Sequence, residues 1–361
     1  MKKVLIITGT LEYGGVQRLI VDTAKSLLKN ENYYPIIYSL LNKSGLENEL
    51  INSSVEYHSL NFKNLKNVIG NIMTMRKIIK NIQPNIIHTH QFASDFYGGL
   101  GALGLNIPIV SHIHNPRGSL SRKITRLILN RFFIDYFITT IEGKKRNSKC
   151  FILHNAIDPK NLILPENFSR SDYLKQFSIP ENSQIIGSVG RLIPEKGYDF
   201  LLPAFKQVLD KIPNLFLILI GDGPEMEKLK NLATHLGAAN RVIFTGYRKD
   251  IAALISILNV FVVSSRIESF SLVALEAMYL GIPVIITNKL LSKDIFSPAA
   301  LVTNCSIEGL RHEIITLLNN QKQIEELIIK GKELVKRQFD INSYTIKLES
   351  IYNEILNNKK L

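Results

Sequence analysis

Two glutamates eight positions apart, Glu268 and Glu276, stand in the stretch SRIESFSLVALEAMYLGIPVI. The neighbours of Glu276 are apolar on both sides, so its carboxylate is expected to be buried, and a buried charge is costly unless something satisfies it. The run VFVVSS ahead reads as a strand and RIESFS as a loop at its carboxyl end. A helix follows from near Phe270 to Leu280, closed by Gly281. The N–H groups of Phe270, Ser271 and Leu272 are then helix-start donors, backed by a dipole of about +0.5 charge. An anion suits that place. Glu276, two turns in, can accept from a pair of hydroxyls such as ribose presents; a buried ion pair with a distant Lys or Arg is the plainer alternative.

A second cluster is GSVGRLIPEKGYDFLL, where a strand ends at Gly190 and Arg191 and Lys196 stand five apart on a loop entering a helix. Two cations beside a helix start make a diphosphate site, although solvated loop charges are the simpler reading. Gly14 and Gly15 follow the first strand and open a helix, which lets a ligand approach free backbone amides. Histidines end two neighbouring strands, His88 and His90 in HTH, His112 and His114 in HIH. Residues two apart share a strand face, so they converge at one sheet edge. Zinc is one use for them, but no carboxylate or cysteine is placed to support it. Hydrogen bonding or catalysis by at least one of them is the preferred reading, with no metal expected. GGLGALG satisfies G-x-G-x-x-G through Gly99, Gly101 and Gly104, yet these lie inside a helix, with no acidic residue about 20 positions on. Close helix packing explains them better.

Short apolar runs alternating with amphipathic stretches require two doubly wound parallel α/β domains. A polar, proline-containing segment near residues 155–183 separates them. The boundaries are drawn as residues 1–158 with a returning helix at 341–361, and 159–340. The 361 residues are 45% apolar, with no run long enough to span a membrane. The opening MKKVLIITGT reads as a strand rather than a signal peptide. Two cysteines in no metal-ligand or redox spacing fit a reducing cytoplasm. Net charge is +13, and residues 1–160 hold 21 Lys and Arg against 10 Asp and Glu. That half should face something anionic: a membrane surface, an anionic lipid-linked substrate or nucleic acid. GSLSRKITRLILNRFF sets Leu120, Ile124, Leu127, Ile128 and Phe132 against Arg122, Lys123 and Arg126, as a membrane-surface helix or a core helix with a solvated basic face does.

Taken together, Glu268 and Glu276, Arg191 and Lys196, and Gly14-Gly15 resemble the retaining nucleotide-sugar glycosyltransferases of family 4, over essentially the whole chain. The resemblance implies the GT-B fold: two Rossmann-like domains facing across a cleft, with the last helix crossing back to the first. It implies that Gly15 lies near the donor phosphates and that Arg191 and Lys196 hold the diphosphate. Amides at Phe270, Ser271 and Leu272 face the phosphates, Glu268 contacts the donor sugar and Glu276 the ribose. His114 bonds the transferred sugar or positions the acceptor. No cofactor or metal is implied, in keeping with the lack of D-x-D. The implied partners are a nucleotide-diphosphate sugar, a glycan or lipid-linked acceptor and an anionic membrane surface; no nucleic acid is expected. The implied place is peripheral, at the cytoplasmic face. Ser269 and Ser271 stand where the family has glycines, and NKLLSKDIFSPAALVTN stands where it has a glycine-rich donor loop. A sugar-nucleotide epimerase, or a basic binding protein with a vestigial site, are the competing readings.

Overall fold

The computed structural model describes residues 1–42, 45–62, 67–114, 133–141 and 149–358. The chain divides into two units, Met1–Ala156 with Ile341–Leu361, and Ile157–Asp340. Each is built on one parallel sheet.

In the first unit β1 (Lys2–Thr8), β2 (Tyr33–Ser39), β3 (Glu56–Ser59), β4 (Ile86–His90), β5 (Ile109–Ile113), β6 (Tyr136–Thr139) and β7 (Cys150–Ile152) lie in the order 3-2-1-4-5-6-7. A parallel sheet is covered on both faces, which is why its strands are apolar runs rather than alternating ones. Val4 to Thr8 are all buried. One face of the sheet (Val4, Ile6, Ile86, Val110, Ile138) packs on helices Gly15–Lys29 and Ile341–Asn358; the other (Leu5, Ile7, Ile87, Ile109) packs on Val68–Ile82 and Phe92–Ala102. The returning helix is tied in by polar contacts as well. The Glu349 carboxylate accepts from Asn30 Nδ2 at 3.0 Å and Asn32 Nδ2 at 2.8 Å, and Tyr33 donates to Asn353 Oδ1 at 2.9 Å.

In the second unit β8 (Gln184–Val189), β9 (Leu215–Ile220), β10 (Val242–Phe244), β11 (Val260–Val263), β12 (Val284–Thr287) and β13 (Leu301–Thr303) run in the order 10-9-8-11-12-13. Strand order reverses between β1 and β4 in one sheet and between β8 and β11 in the other. Loops leaving the carboxyl ends of such strand pairs diverge, and ligands of open α/β sheets bind there.

Two expectations change. The helix after Glu268 spans Leu272–Tyr279, so Phe270 and Ser271 precede it. Glu276 is half-buried rather than buried, because at about 100° per residue it falls on the less-buried side of the helix with Val273, Tyr279 and Leu280, opposite Ala274, Ala277 and Met278. Gly281 does close that helix at φ +79°, its N–H reaching Met278 O.

Of the glycines of GGLGALG, Gly99 and Gly101 serve packing, whereas Gly104 lies beyond helix Phe92–Ala102 at φ +73° with nothing within 4 Å of an added Cβ. A Cβ on Gly101 would meet Met75 Cγ at 2.8 Å, and one on Gly99 would meet Phe133 Cβ at 2.9 Å. Gly101→Val is therefore expected to lower unfolding free energy by about 1–3 kcal/mol. Urea denaturation should show a lower midpoint at unchanged slope.

Candidate active site

The site in the second unit is two loops fastened to each other. The loop after β8 carries Arg191 and Lys196 and ends at Gly197; the loop after β11 runs from Ser264 to Ser271. Gly197 has φ +68°, and a Cβ there would sit 2.2 Å from Ser264 O, so only glycine allows the two backbones this close. Ser264 Oγ donates to Lys196 O at 2.8 Å and Arg266 N donates to Glu195 O at 2.8 Å. The Arg266 guanidinium then reaches across. It donates to Pro194 O at 2.9 Å, grips both oxygens of Asp199, and lies 4.0 Å over the Phe200 ring. A lysine could not make that planar fork. The segment after β12 supports the second loop from below, through Thr287 Oγ1 to Ser265 O at 2.6 Å and Leu291 N to Glu268 O at 2.8 Å.

This frame presses Lys196 Nζ against Glu268 Oε2 in an ion pair, with Ser265 Oγ donating to the same oxygen at 3.3 Å. The two side chains are 24% and 17% exposed, so the pair is screened less than a surface pair yet remains open to a ligand. The sequence placed Lys196 and Glu268 on different parts of a donor; the structure couples them. Arg191, by contrast, is exposed and makes no side-chain hydrogen bond or ion pair among the described residues. It is the uncommitted cation of the loop.

Helix Leu272–Tyr279 begins immediately beyond. Its first amides lack intrahelical acceptors by geometry, and Ser271, at the N-cap, bonds none of them with its side chain. The Ser271 hydroxyl is itself buried without a partner among the described residues. A residue standing where the family has glycine thus adds a polar group at the helix start. The side chains of Phe270 and Leu272 are core, Phe270 packing 5.3 Å from Phe296 and 5.7 Å from Phe339, so only their backbones can meet a ligand.

In the first unit, Gly14 and Gly15 are exposed at the amino end of helix Gly15–Lys29, which has no side-chain cap. Gly14 has φ 179°, an extended conformation open to any residue. The register pairs His90 with His112, which puts His88, His90, His112 and His114 on one sheet face, as the spacing predicted. His90 Nδ1 lies 2.9 Å from His114 Nε2, and His88 Nδ1 lies 2.6 Å from the Tyr352 hydroxyl on the returning helix. Burial lowers all four imidazoles, His88 to about 3 and His114 to about 4, and His90 and His112 fall well below the usual range; neighbouring imidazoles push His88, His90 and His112 the same way. All four are neutral near pH 7 and can exchange hydrogen bonds but not charge. Arg122, Lys123 and Arg126 lie outside the described residues. The sequence reading missed Arg266, Asp199 and Tyr352; an Arg directly after a strand-ending Ser-Ser was the available signal for the first.

Two family patterns match the chain, "Glycosyltransferase Family 4" over residues 13–159 and "Glycosyl transferases group 1" over residues 169–334. The chain belongs to the family 4, group 1 glycosyltransferases. An Escherichia coli UDP-Gal:alpha-D-GlcNAc-diphosphoundecaprenol alpha-1,3-galactosyltransferase is 24% identical to this glycosyltransferase, covering 96% of its chain and 95% of the relative. The E. coli O-antigen biosynthesis glycosyltransferase WclY is 28% identical over 61% of the chain and 59% of the relative. Among solved structures, Anabaena HepE with UDP and glucose superimposes at TM-score 0.86, with 19% identity and coverage of 98% and 100%. WaaG, a glycosyltransferase involved in lipopolysaccharide biosynthesis, superimposes at 0.73, with 17% identity and coverage of 97% and 99%. The fold is GT-B.

The glycosyltransferase offers its own control for the loop junction. Gly237 has φ +67° with nothing within 4 Å of an added Cβ, so Gly237→Ala should cost only left-handed strain, about 1 kcal/mol. Gly197→Ala carries the same strain plus the clash with Ser264 O. Its urea midpoint should fall clearly below that of Gly237→Ala; equal midpoints would show that the junction is not tight.

Proposed function

We propose that this glycosyltransferase moves a hexosyl or N-acetylhexosaminyl group from a nucleoside diphosphate to a lipid-linked glycan acceptor during synthesis of a cell-surface polysaccharide, with retention of configuration and no metal at the diphosphate. The observation that carries the reading is the second unit's loop edge, where uncommitted Arg191, the Lys196–Glu268 pair, Ser271 Oγ and open helix amides meet. The named substrates of the E. coli galactosyltransferase, a UDP-sugar and a diphosphoundecaprenol-linked acceptor, support it.

In this reading the bond from the sugar's anomeric carbon to the diphosphate oxygen breaks and a bond to the acceptor oxygen forms. Negative charge grows on the departing diphosphate. Arg191, Lys196 and the amides of Ser271 and Leu272 stabilise it where it develops, in a preset geometry that needs little reorganisation. The family resemblance implies that backbone at Gly14 and Gly15 approaches the donor phosphates. Glu268 accepts from a donor sugar hydroxyl, and Glu276 from the ribose. Neutral His114 bonds the transferred sugar or positions the acceptor. The departing phosphate takes the acceptor proton. Family membership supports retention.

The pairing of Lys196 with Glu268 separates their variants. Glu268→Gln frees Lys196, so nucleoside diphosphate affinity should hold or rise while transfer falls at least about 100-fold. Lys196→Ala removes a charge-assisted bond worth about 1.5–3 kcal/mol, so affinity should fall roughly tenfold or more. A thermal-shift series with UDP and other nucleoside diphosphates reads affinity, because a ligand of the native state raises its apparent stability; a radiolabelled sugar assay reads transfer. Full transfer by both variants would falsify the assignment.

The excess of Lys and Arg in residues 1–160 supports peripheral attachment to an anionic bilayer, and no described helix is long and apolar enough to cross one. Co-sedimentation with phosphatidylglycerol vesicles should weaken steeply between low and high salt, and with Arg122, Lys123 and Arg126 changed to Gln. Absence of binding at low salt removes this part of the reading.

A further inference from the structure

The imidazoles at the carboxyl ends of β4 and β5 leave a chemical remainder that sugar transfer does not use. His88, His90 and His112 are 1%, 3% and 1% exposed, yet His88 Nε2 and both ring nitrogens of His112 have no hydrogen-bond partner among the described residues. A buried polar atom without a partner costs about 1–3 kcal/mol. Three such atoms on two adjacent side chains are a concentrated cost, and a fold does not gather it by packing preference alone. The three residues can bring one ring nitrogen each to within 4.8 Å of one another.

We propose that His88, His90 and His112 bind a single zinc-class transition-metal ion. The outer hydrogen bonds select the ligand atoms. Nδ1 of His88 faces the Tyr352 hydroxyl and Nδ1 of His90 faces His114 Nε2, which leaves the Nε2 lone pairs of both rings for the ion. Metal-bound histidines characteristically spend their second nitrogen on such a partner, which fixes tautomer and ring orientation. Three neutral nitrogen donors suit Zn²⁺, Ni²⁺ or Cu²⁺, whereas Mg²⁺ and Ca²⁺ require oxygen. The sequence argued against zinc because no carboxylate or cysteine accompanies the histidines. Burial with unpaired nitrogens reverses that weighting, since the rings are neutral and already desolvated. The ion would fasten β4 to β5 and, through Tyr352, both strands to helix Ile341–Asn358. The proposed ligands all lie in the first unit, whereas Arg191, Lys196 and Glu268 lie in the second, so the ion has no assigned part in diphosphate departure.

The test uses the full chain without a histidine tag, stripped with chelator and titrated with ZnCl₂ alone. About one equivalent should bind and raise the melting temperature. Co²⁺ in its place should give the visible ligand-field bands of a low-coordinate nitrogen site. His88→Gln and His112→Gln should abolish both signals, while His58→Gln and His312→Gln, at exposed positions, should leave them intact. If the core variants fail to fold, the Co²⁺ spectrum of the unaltered chain decides, and a spectrum like that of aqueous Co²⁺ overturns the proposal. Undiminished zinc binding by folded His88→Gln and His112→Gln overturns it as well.

Discussion

A lysine and a glutamate 72 positions apart are held in contact by a junction that tolerates no side chain. Everything proposed for the second unit depends on that junction. If the loop after β8 stood even a methyl group farther from the loop after β11, Lys196 would trade Glu268 for water and the Arg266 fork would miss Asp199. Glycine at position 197, rather than any charged residue, sets the spacing. The charges occupy a geometry that backbone contact has already fixed.

The pair also defines what an anionic ligand must do. A phosphate approaching Lys196 would compete with a carboxylate that already neutralises much of its charge, whereas Arg191 would meet it with nothing to exchange. The two cations therefore contribute unequally. In the proposed reading Arg191 and the helix amides would provide attraction and Lys196 coupling, because movement of its ammonium toward phosphate would release Glu268 for a sugar hydroxyl. Binding at one end of a donor would thereby be linked to the carboxylate meant for the other end.

Much of this was legible in the sequence because parallel sheets write themselves as apolar runs followed by loops. Gly190–Gly197 and Ser265–Ser271 were found that way, and so was the shared face of the four histidines, which follows from a period of two. What stayed hidden depended on distance across the fold. Nothing local to Lys196 names Glu268 as its partner, and nothing near Asp199 points to Arg266. Glu276 was expected to be buried because its sequence neighbours are apolar, but a helix distributes neighbours around its circumference, and position 276 falls on the less-buried side with Val273 and Tyr279. Tyr352 could not be linked to His88 from 264 positions away.

The returning helix has a consequence for the order of synthesis. Glu349, Tyr352 and Asn353 complete the first unit by bonding or packing on Asn30, Asn32, Tyr33 and His88, all within the first quarter of the chain. A ribosome makes the sheet of the first unit and helix Gly15–Lys29 early, and the second helix covering the same face about 190 residues after β7. The second unit, whose residues are contiguous, emerges in between with all its partners present and can close first. The earlier-made unit must wait with part of an apolar face exposed beside helix Gly15–Lys29. Its strands are therefore the segment of this enzyme with the greatest need of chaperone cover.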